Sequence, residues 1–180
     1  MVAEPSYASG ASEVPLLGET IPGNFARNVA ALGECEALVD CPSGRRWTYA
    51  ELDADVDTAA RALLSSGVQK GDRVGIWAPN CPEWVIVQLA TARIGAILVN
   101  VNPAYRSHEL AYALEQSGVS VLFCYRATER ADFPGLVDSV RGDCPELRQI
   151  IVAGEGSWDK WWASSERTPA EALVEATAGL

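Results

Sequence analysis

Histidine occurs once in these 180 residues, as His108, and lysine only twice, as Lys70 and Lys160. A serine or cysteine nucleophile needs a base beside it, and a zinc site needs several imidazoles or thiolates together. Both chemistries therefore lack their partners, and no catalytic or metal-ligating residue is assigned. The five cysteines, Cys35, Cys41, Cys81, Cys124 and Cys144, stand far apart with no CxxC pair. An odd, scattered set without a secretion signal implies reduced thiols and a cytoplasmic protein. Basic charge is scarce as well: 14 Lys and Arg against 24 Asp and Glu leave a net charge of −10, with no basic run. Nucleic acid and anionic membrane both demand a concentrated cationic surface, so neither is expected as a partner. Long apolar runs are missing too. The most apolar stretch, Trp84 to Val101, is broken by Gln88, Arg93 and Gly95. It reads as a buried helix followed by a buried strand, not as a transmembrane segment. Residues 1–18 have neither a charged n-region nor an apolar h-region, and are expected to form a flexible leader rather than a signal peptide.

What is present can build a core. Hydrophobic residues make up 48% and charged residues 21%, the balance of one globular domain. Along the chain, helical and extended patterns alternate with short connections. A first helix is predicted over Asn24 to Leu32, closed by Gly33. Two short extended runs, Glu36 to Cys41 and Arg45 to Trp47, flank Pro42-Ser43-Gly44, a hairpin signal. Thr48 and Glu51 form a T-x-x-E capping box, in which each side chain satisfies an orphan amide at a helix start. Leu52, Val56, Ala59, Ala60, Leu63 and Leu64 follow at helical spacing as one apolar stripe. Asp53 and Asp57 fall on the opposite side, and Asp57 stands four residues before Arg61, a supporting pair. Gly67 ends this helix.

Strands are predicted over Arg73 to Ala78, Ala96 to Val101, Val119 to Cys124 and Leu147 to Val152. Helices lie between them, from Pro82 to Ile94, from Ser107 as cap through Gln116, and near Asp132 to Arg141. Short apolar strands separated by helices are βαβ units, which predict a mostly parallel, doubly wound α/β sheet flanked by helices and preceded by the short hairpin. This α/β unit is expected over 19–152. Residues 153–180 form a helical tail with two short patterns split near Thr168-Pro169.

Two segments resemble the core motifs of adenylate-forming (AMP-binding) enzymes. Trp47-Thr48-Tyr49-Ala50-Glu51-Leu52, followed by Gly67 and Lys70-Gly71-Asp72-Arg73-Val74-Gly75-Ile76, is similar to the first. Ala92-Arg93-Ile94-Gly95-Ala96-Ile97, running on to Asn100-Val101-Asn102-Pro103-Ala104-Tyr105-Arg106, resembles the second, in the form of the fatty-acyl-CoA synthetase branch. The resemblance implies two steps: a fatty acid attacks ATP to give an acyl-adenylate and pyrophosphate with Mg2+ assistance, and CoA then displaces AMP. The family's phosphate loop, metal-binding Glu, ribose-binding Asp and catalytic Lys match nothing in this sequence. Gly154-Glu155-Gly156 is acidic and no phosphate cradle. The resemblance thus implies the N-terminal portion of a fatty-acyl-CoA synthetase, inactive alone and expected to bind no cofactor tightly. The alternative is a stand-alone binding or interaction module derived from the same family.

Candidate binding residues sit where strands end. Asn102, Pro103 and Tyr105 follow one parallel strand, and the resemblance implies a loop near the CoA entrance. The plainer reading, that Asn102-Pro103 stops the strand and Ser107 caps the next helix, is preferred. Arg126 and Arg130 follow the next strand, where related synthetases place arginines against the CoA 3′-phosphate. The plainer reading is two solvated charges. Trp158, Trp161 and Trp162 share a helical face, as a docking surface more readily than as a stacking platform for adenine. The nearly all-round apolar helix Pro82 to Ile94 is the expected place for an exposed face through which the chain self-associates.

Overall fold

The computed structural model describes residues 16–180. Most of the expected leader, residues 1–15, lies outside the described residues. Helix α1 spans Ile21–Leu32, three residues earlier than its periodicity indicated, because the Thr20 hydroxyl caps it by accepting from the Gly23 N–H at 3.2 Å. Pro22 fits that first turn, where a missing N–H leaves no bond unmade. Strands β1 (Glu36–Val39) and β2 (Arg46–Thr48) pair antiparallel as the expected hairpin, with an irregular register between Glu36 and Leu38.

Helix α2 (Tyr49–Ser65) begins at the capping box: the Thr48 N–H donates to the Glu51 carboxylate at 2.8 Å, and the Glu51 N–H to the Thr48 hydroxyl at 3.2 Å. Its stripe Leu52, Val56, Ala59, Ala60 and Leu63 is buried. The acidic side behaves differently from the local pattern. Asp57 does not pair with Arg61. It and Asp53 pair instead with Arg93, the Asp53 contact at 2.6 Å, while the Arg61 Nε donates to the Thr168 carbonyl at 2.8 Å. Sequence spacing sees only the neighbour four residues on, whereas packing offered Asp57 a more buried cation.

The main sheet is built from β3 (Arg73–Trp77), β4 (Ile97–Asn100), β5 (Val121–Tyr125) and β6 (Gln149–Ala153). All neighbours are parallel, and the order across the sheet is β4-β3-β5-β6. Between them run α3 (Pro82–Arg93), α4 (Ser107–Ser117) and α5 (Phe133–Val140), with α6 (Gly156–Ala163) and α7 (Ala170–Ala178) closing the chain. Side chains alternate as a two-sided sheet requires. Val74, Ile76, Val121, Phe123 and Ile151 pack under α1, α2, α3, α6 and α7. Trp77, Leu122 and Cys124 pack under α4 and α5. Helices thus cover both faces, and the doubly wound α/β layer is present.

Two further details differ from the sequence expectation. Ser107 does not cap α4: it is the first helical residue, and the Arg106 N–H at the cap position donates to Glu109 at 3.1 Å. Helix α3 does not present an exposed apolar face either. Its Trp84, Val85 and Leu89 are half-buried, and none of its residues is among the exposed large hydrophobics. The most exposed hydrophobic of the sheet is Ile97, 52% accessible on the edge strand β4. Among the described residues, no helix is long and apolar enough to cross a membrane.

Candidate functional site at the carboxyl edge of the sheet

From β3 the chain crosses to β4 on one side, then returns past β3 to β5 on the other. The loops leaving β3 and β5 therefore diverge, and this switch point is where open α/β sheets form a ligand crevice. Two clefts open here. The first, about 700 Å3, is lined by Arg45, Asn80, Cys81, Tyr125, Arg126 and Trp158 among others. The second, about 580 Å3, is lined by Pro79, Pro103, Arg106, Arg130 and Phe133 among others. The edge-on contact of Tyr125 with Phe133, with centroids 6.2 Å apart, lies between them, and Phe133 packs in turn on Trp77 at 4.7 Å.

The structure separates the residues that sequence position grouped. Asn102 holds its own turn: its side-chain oxygen accepts from the Ala104 N–H at 2.9 Å, and its carbonyl accepts from the Trp77 indole at 2.9 Å. That is the strand-stop reading, with the added task of anchoring Trp77. Tyr105 lines neither cleft. Pro103 and Arg130 come together in the second cleft, and Arg106 joins them. Arg106 ends the second motif and was not among the candidate binding residues. Its place in that loop, just before a helix, does not reveal which neighbouring loop it faces.

Arg126 faces the first cleft, with its guanidinium 4.7 Å over the Tyr125 ring. The turn that parts it from Arg130 is held by Thr128, whose hydroxyl accepts from the Arg130 and Ala131 N–H groups at 3.3 and 3.1 Å.

Electrostatics distinguish the clefts. Asp40, Asp55, Glu83 and Asp159 line the first against Arg45 and Arg126. Asp55 is occupied, accepting from the Trp47 indole at 2.8 Å, and Arg45 lies 4.0 Å over the Trp47 ring. A phosphate entering here meets more carboxylates than cations. The second cleft carries two guanidiniums against the single carboxylate of Glu129, so it is the better anion site. Cys81 lines the first cleft, but burial pushes its thiol up to about 12, and a protonated thiol is no nucleophile.

Trp158, Trp161 and Trp162 dock α6 onto the sheet. Trp161 meets Phe123 edge-on at 4.7 Å, and Trp158 stacks on Trp162 at 5.6 Å. The residues do not fit a nucleotide–metal centre. Among the described residues no three His, Cys, Asp or Glu side chains converge to hold a metal ion, and no glycine-rich turn follows β3, β4 or β5.

The AMP-binding enzyme family model matches residues 25–178. A mitochondrial medium-chain acyl-CoA ligase of Macaca fascicularis is 40% identical over 142 residues, which are 79% of this chain and 22% of that protein. Its Danio rerio counterpart is 38% identical over 149 residues, 83% of this chain and 24% of that protein. The chain therefore spans less than a quarter of the length of these relatives. An anthranilate CoA ligase solved with anthranoyl-AMP superposes with a TM-score of 0.72 at 26% identity, covering 90% of this chain and 30% of that one. A long-chain-fatty-acid–CoA ligase of Archaeoglobus fulgidus gives 0.77 at 20% identity, covering 93% and 34%, a likeness of fold.

Proposed function

The chain belongs to the AMP-binding enzyme family, and from that premise we propose that it is the N-terminal part of a fatty-acid–CoA ligase. Such an enzyme joins a fatty acid to ATP as an acyl-adenylate, releases pyrophosphate, and passes the acyl group to CoA. The observation that carries this reading is the 40% identity to a medium-chain acyl-CoA ligase across 142 residues. Residues 16–180 supply scaffold and one wall, not the reacting groups. They carry no glycine-rich triphosphate loop, and no three metal-ligating side chains converge among them, so no step of the reaction is assigned to them.

Within that reading, CoA approaches the second cleft, with Arg106 and Arg130 facing its phosphates and Pro103 shaping the mouth. Arg126 is set aside because its cleft is rich in carboxylates. The five free thiols, two of them exposed, suit a reducing compartment, and the cytoplasm is the proposed location.

The test is ATP–pyrophosphate exchange with octanoate and longer fatty acids, run on this chain and on a protein extended through the complete reading frame. Exchange by the extended protein and none by this chain is expected. Exchange by neither, across a range of acids, counts against the ligase reading. In the extended protein, Arg130→Glu should raise KM for CoA roughly tenfold, the loss of one charged contact, and leave the exchange rate unchanged. An unaltered KM removes Arg130 from the CoA site.

A further inference from the structure

We infer that the cleft between the end of α2, strand β6 and helix α6 binds a phosphate-bearing small molecule through its oxyanion. The cleft has a volume of about 370 Å3 and shares no lining residue with either cleft at the carboxyl edge. Its size falls in the range of about 300–1,000 Å3 usual for small-molecule sites, which leaves room for an organic group beside the phosphate.

Charge sets it apart from the rest of this acidic molecule. Lys160 and Arg167 line it, and no Asp or Glu among the described residues does. Neither cation forms an ion pair among the described residues; those pairs engage Arg27, Arg45, Arg46 and Arg93. Asp159, next to Lys160 in sequence, lines the first carboxyl-edge cleft instead. Two cations on one cleft match a divalent oxyanion better than a carboxylate, and the guanidinium fork suits tetrahedral phosphate.

Trp161 provides an independent observation. It lines the cleft, is 3% exposed, and its Nε1 is the one buried side-chain nitrogen or oxygen without a hydrogen-bond partner among the described residues. Its ring neighbours Phe123, Trp158 and Trp162 stand at 4.7, 5.0 and 6.2 Å, through their rings. A buried N–H is nearly always paired; this one is closed to a water-sized atom, so a phosphate oxygen would complete it through a small turn of the ring toward the cleft. Three of the four hydroxyls of the cleft are committed: that of Ser66 donates to the Ala62 carbonyl at 3.0 Å, that of Ser157 accepts from the Val152 N–H at 2.9 Å, and that of Ser164 donates to the Trp161 carbonyl at 2.6 Å. Recognition therefore falls on Lys160, Arg167 and the Trp161 indole, with the Ser65 hydroxyl as a further neutral donor.

This inference stands apart from the ligase reading and would survive its failure. The experiment is an NMR titration of the 15N-labelled chain with inorganic phosphate and then pyrophosphate at constant ionic strength, balanced with chloride, following the indole signals of its six tryptophans. The Trp161 signal is identified by Trp161→Phe. A saturable shift of that signal is expected, with affinity falling at least tenfold in the Lys160→Ala/Arg167→Ala double variant and unchanged in Arg126→Ala. Both cations are exposed, so the double variant should keep the parent circular dichroism. If it does not fold, Arg167→Gln alone carries the comparison. No saturation, an equal response to acetate, or parent-like affinity in the charge variants would overturn the assignment.

Discussion

Arg93 is 8% exposed and charged, and two carboxylates on α2 make its position tenable. Its guanidinium also lies 5.7 Å over the Phe25 ring, so one side chain ties α3 to α2 and α1. Removing one partner of a buried pair costs about 3–5 kcal/mol. Here the Asp53 and Asp57 side chains are 32% and 50% exposed, so water can take over part of the loss. Arg93→Ala should therefore cost about 2–3 kcal/mol in urea unfolding, and Asp53→Asn less than about 1 kcal/mol, since half-exposed pairs are weak. Equal losses for both would show that the Asp53 charge pair, not the packing of the arginine stem, is what matters.

Thiols give a second prediction at this scale. Burial pushes Cys124 up to about 12 and raises Cys144 as well, against about 8.5 for an unfolded cysteine. A folded-state value above the unfolded one means the contribution is complete at neutral pH and is withdrawn as pH climbs from about 9 toward 12. Stability should fall across that window, and less steeply in Cys124→Ala. At pH 8, iodoacetamide should label the exposed Cys35 and Cys41 rapidly and the other three slowly, as counted by mass spectrometry.

At the scale of elements, caps decide where helices begin. Thr48→Ala removes a hydroxyl from a complete capping box and should cost about 1 kcal/mol. Ser107→Ala should be neutral to within about 0.5 kcal/mol, because Arg106 and Glu109 start α4 without that hydroxyl. The pair is informative, since both residues look like caps in sequence. The end of α4 is set by Gly118, left-handed at φ 62°, where an added Cβ would come within 2.7 Å of the Arg73 guanidinium. Gly118→Ala should cost about 1 kcal/mol or more from the backbone alone, measured by the same urea titration.

At the scale of the molecule, the sheet as formed by the described residues keeps an open parallel edge at β4, where Ile97 is exposed and Leu98 and Val99 are half-buried. Unpaired strand edges template association. If the chain self-associates, this edge rather than α3 offers the surface for it. Elution volume should shift with concentration in size-exclusion chromatography, and Ile97→Lys should suppress the shift. A monomer at every concentration would reject self-association altogether.

Local chemistry settled much of this protein from the chain alone. The Thr48–Glu51 box, the apolar stripe of α2, the turn at Pro42-Ser43-Gly44 and the strand–helix alternation depend on residues within one or two turns of each other, so spacing reveals them. The same spacing, read as a doubly wound sheet, places the loops after β4 and β5 at its carboxyl edge. Which residues meet there is a different matter. Arg126 and Arg130 leave the same strand four residues apart, yet the Thr128 turn sends them to separate clefts. Asp57 prefers Arg93, far away in sequence, to Arg61 beside it. Those outcomes depend on how helices pack across the sheet, because burial and distance, not order along the chain, decide which charge finds which partner.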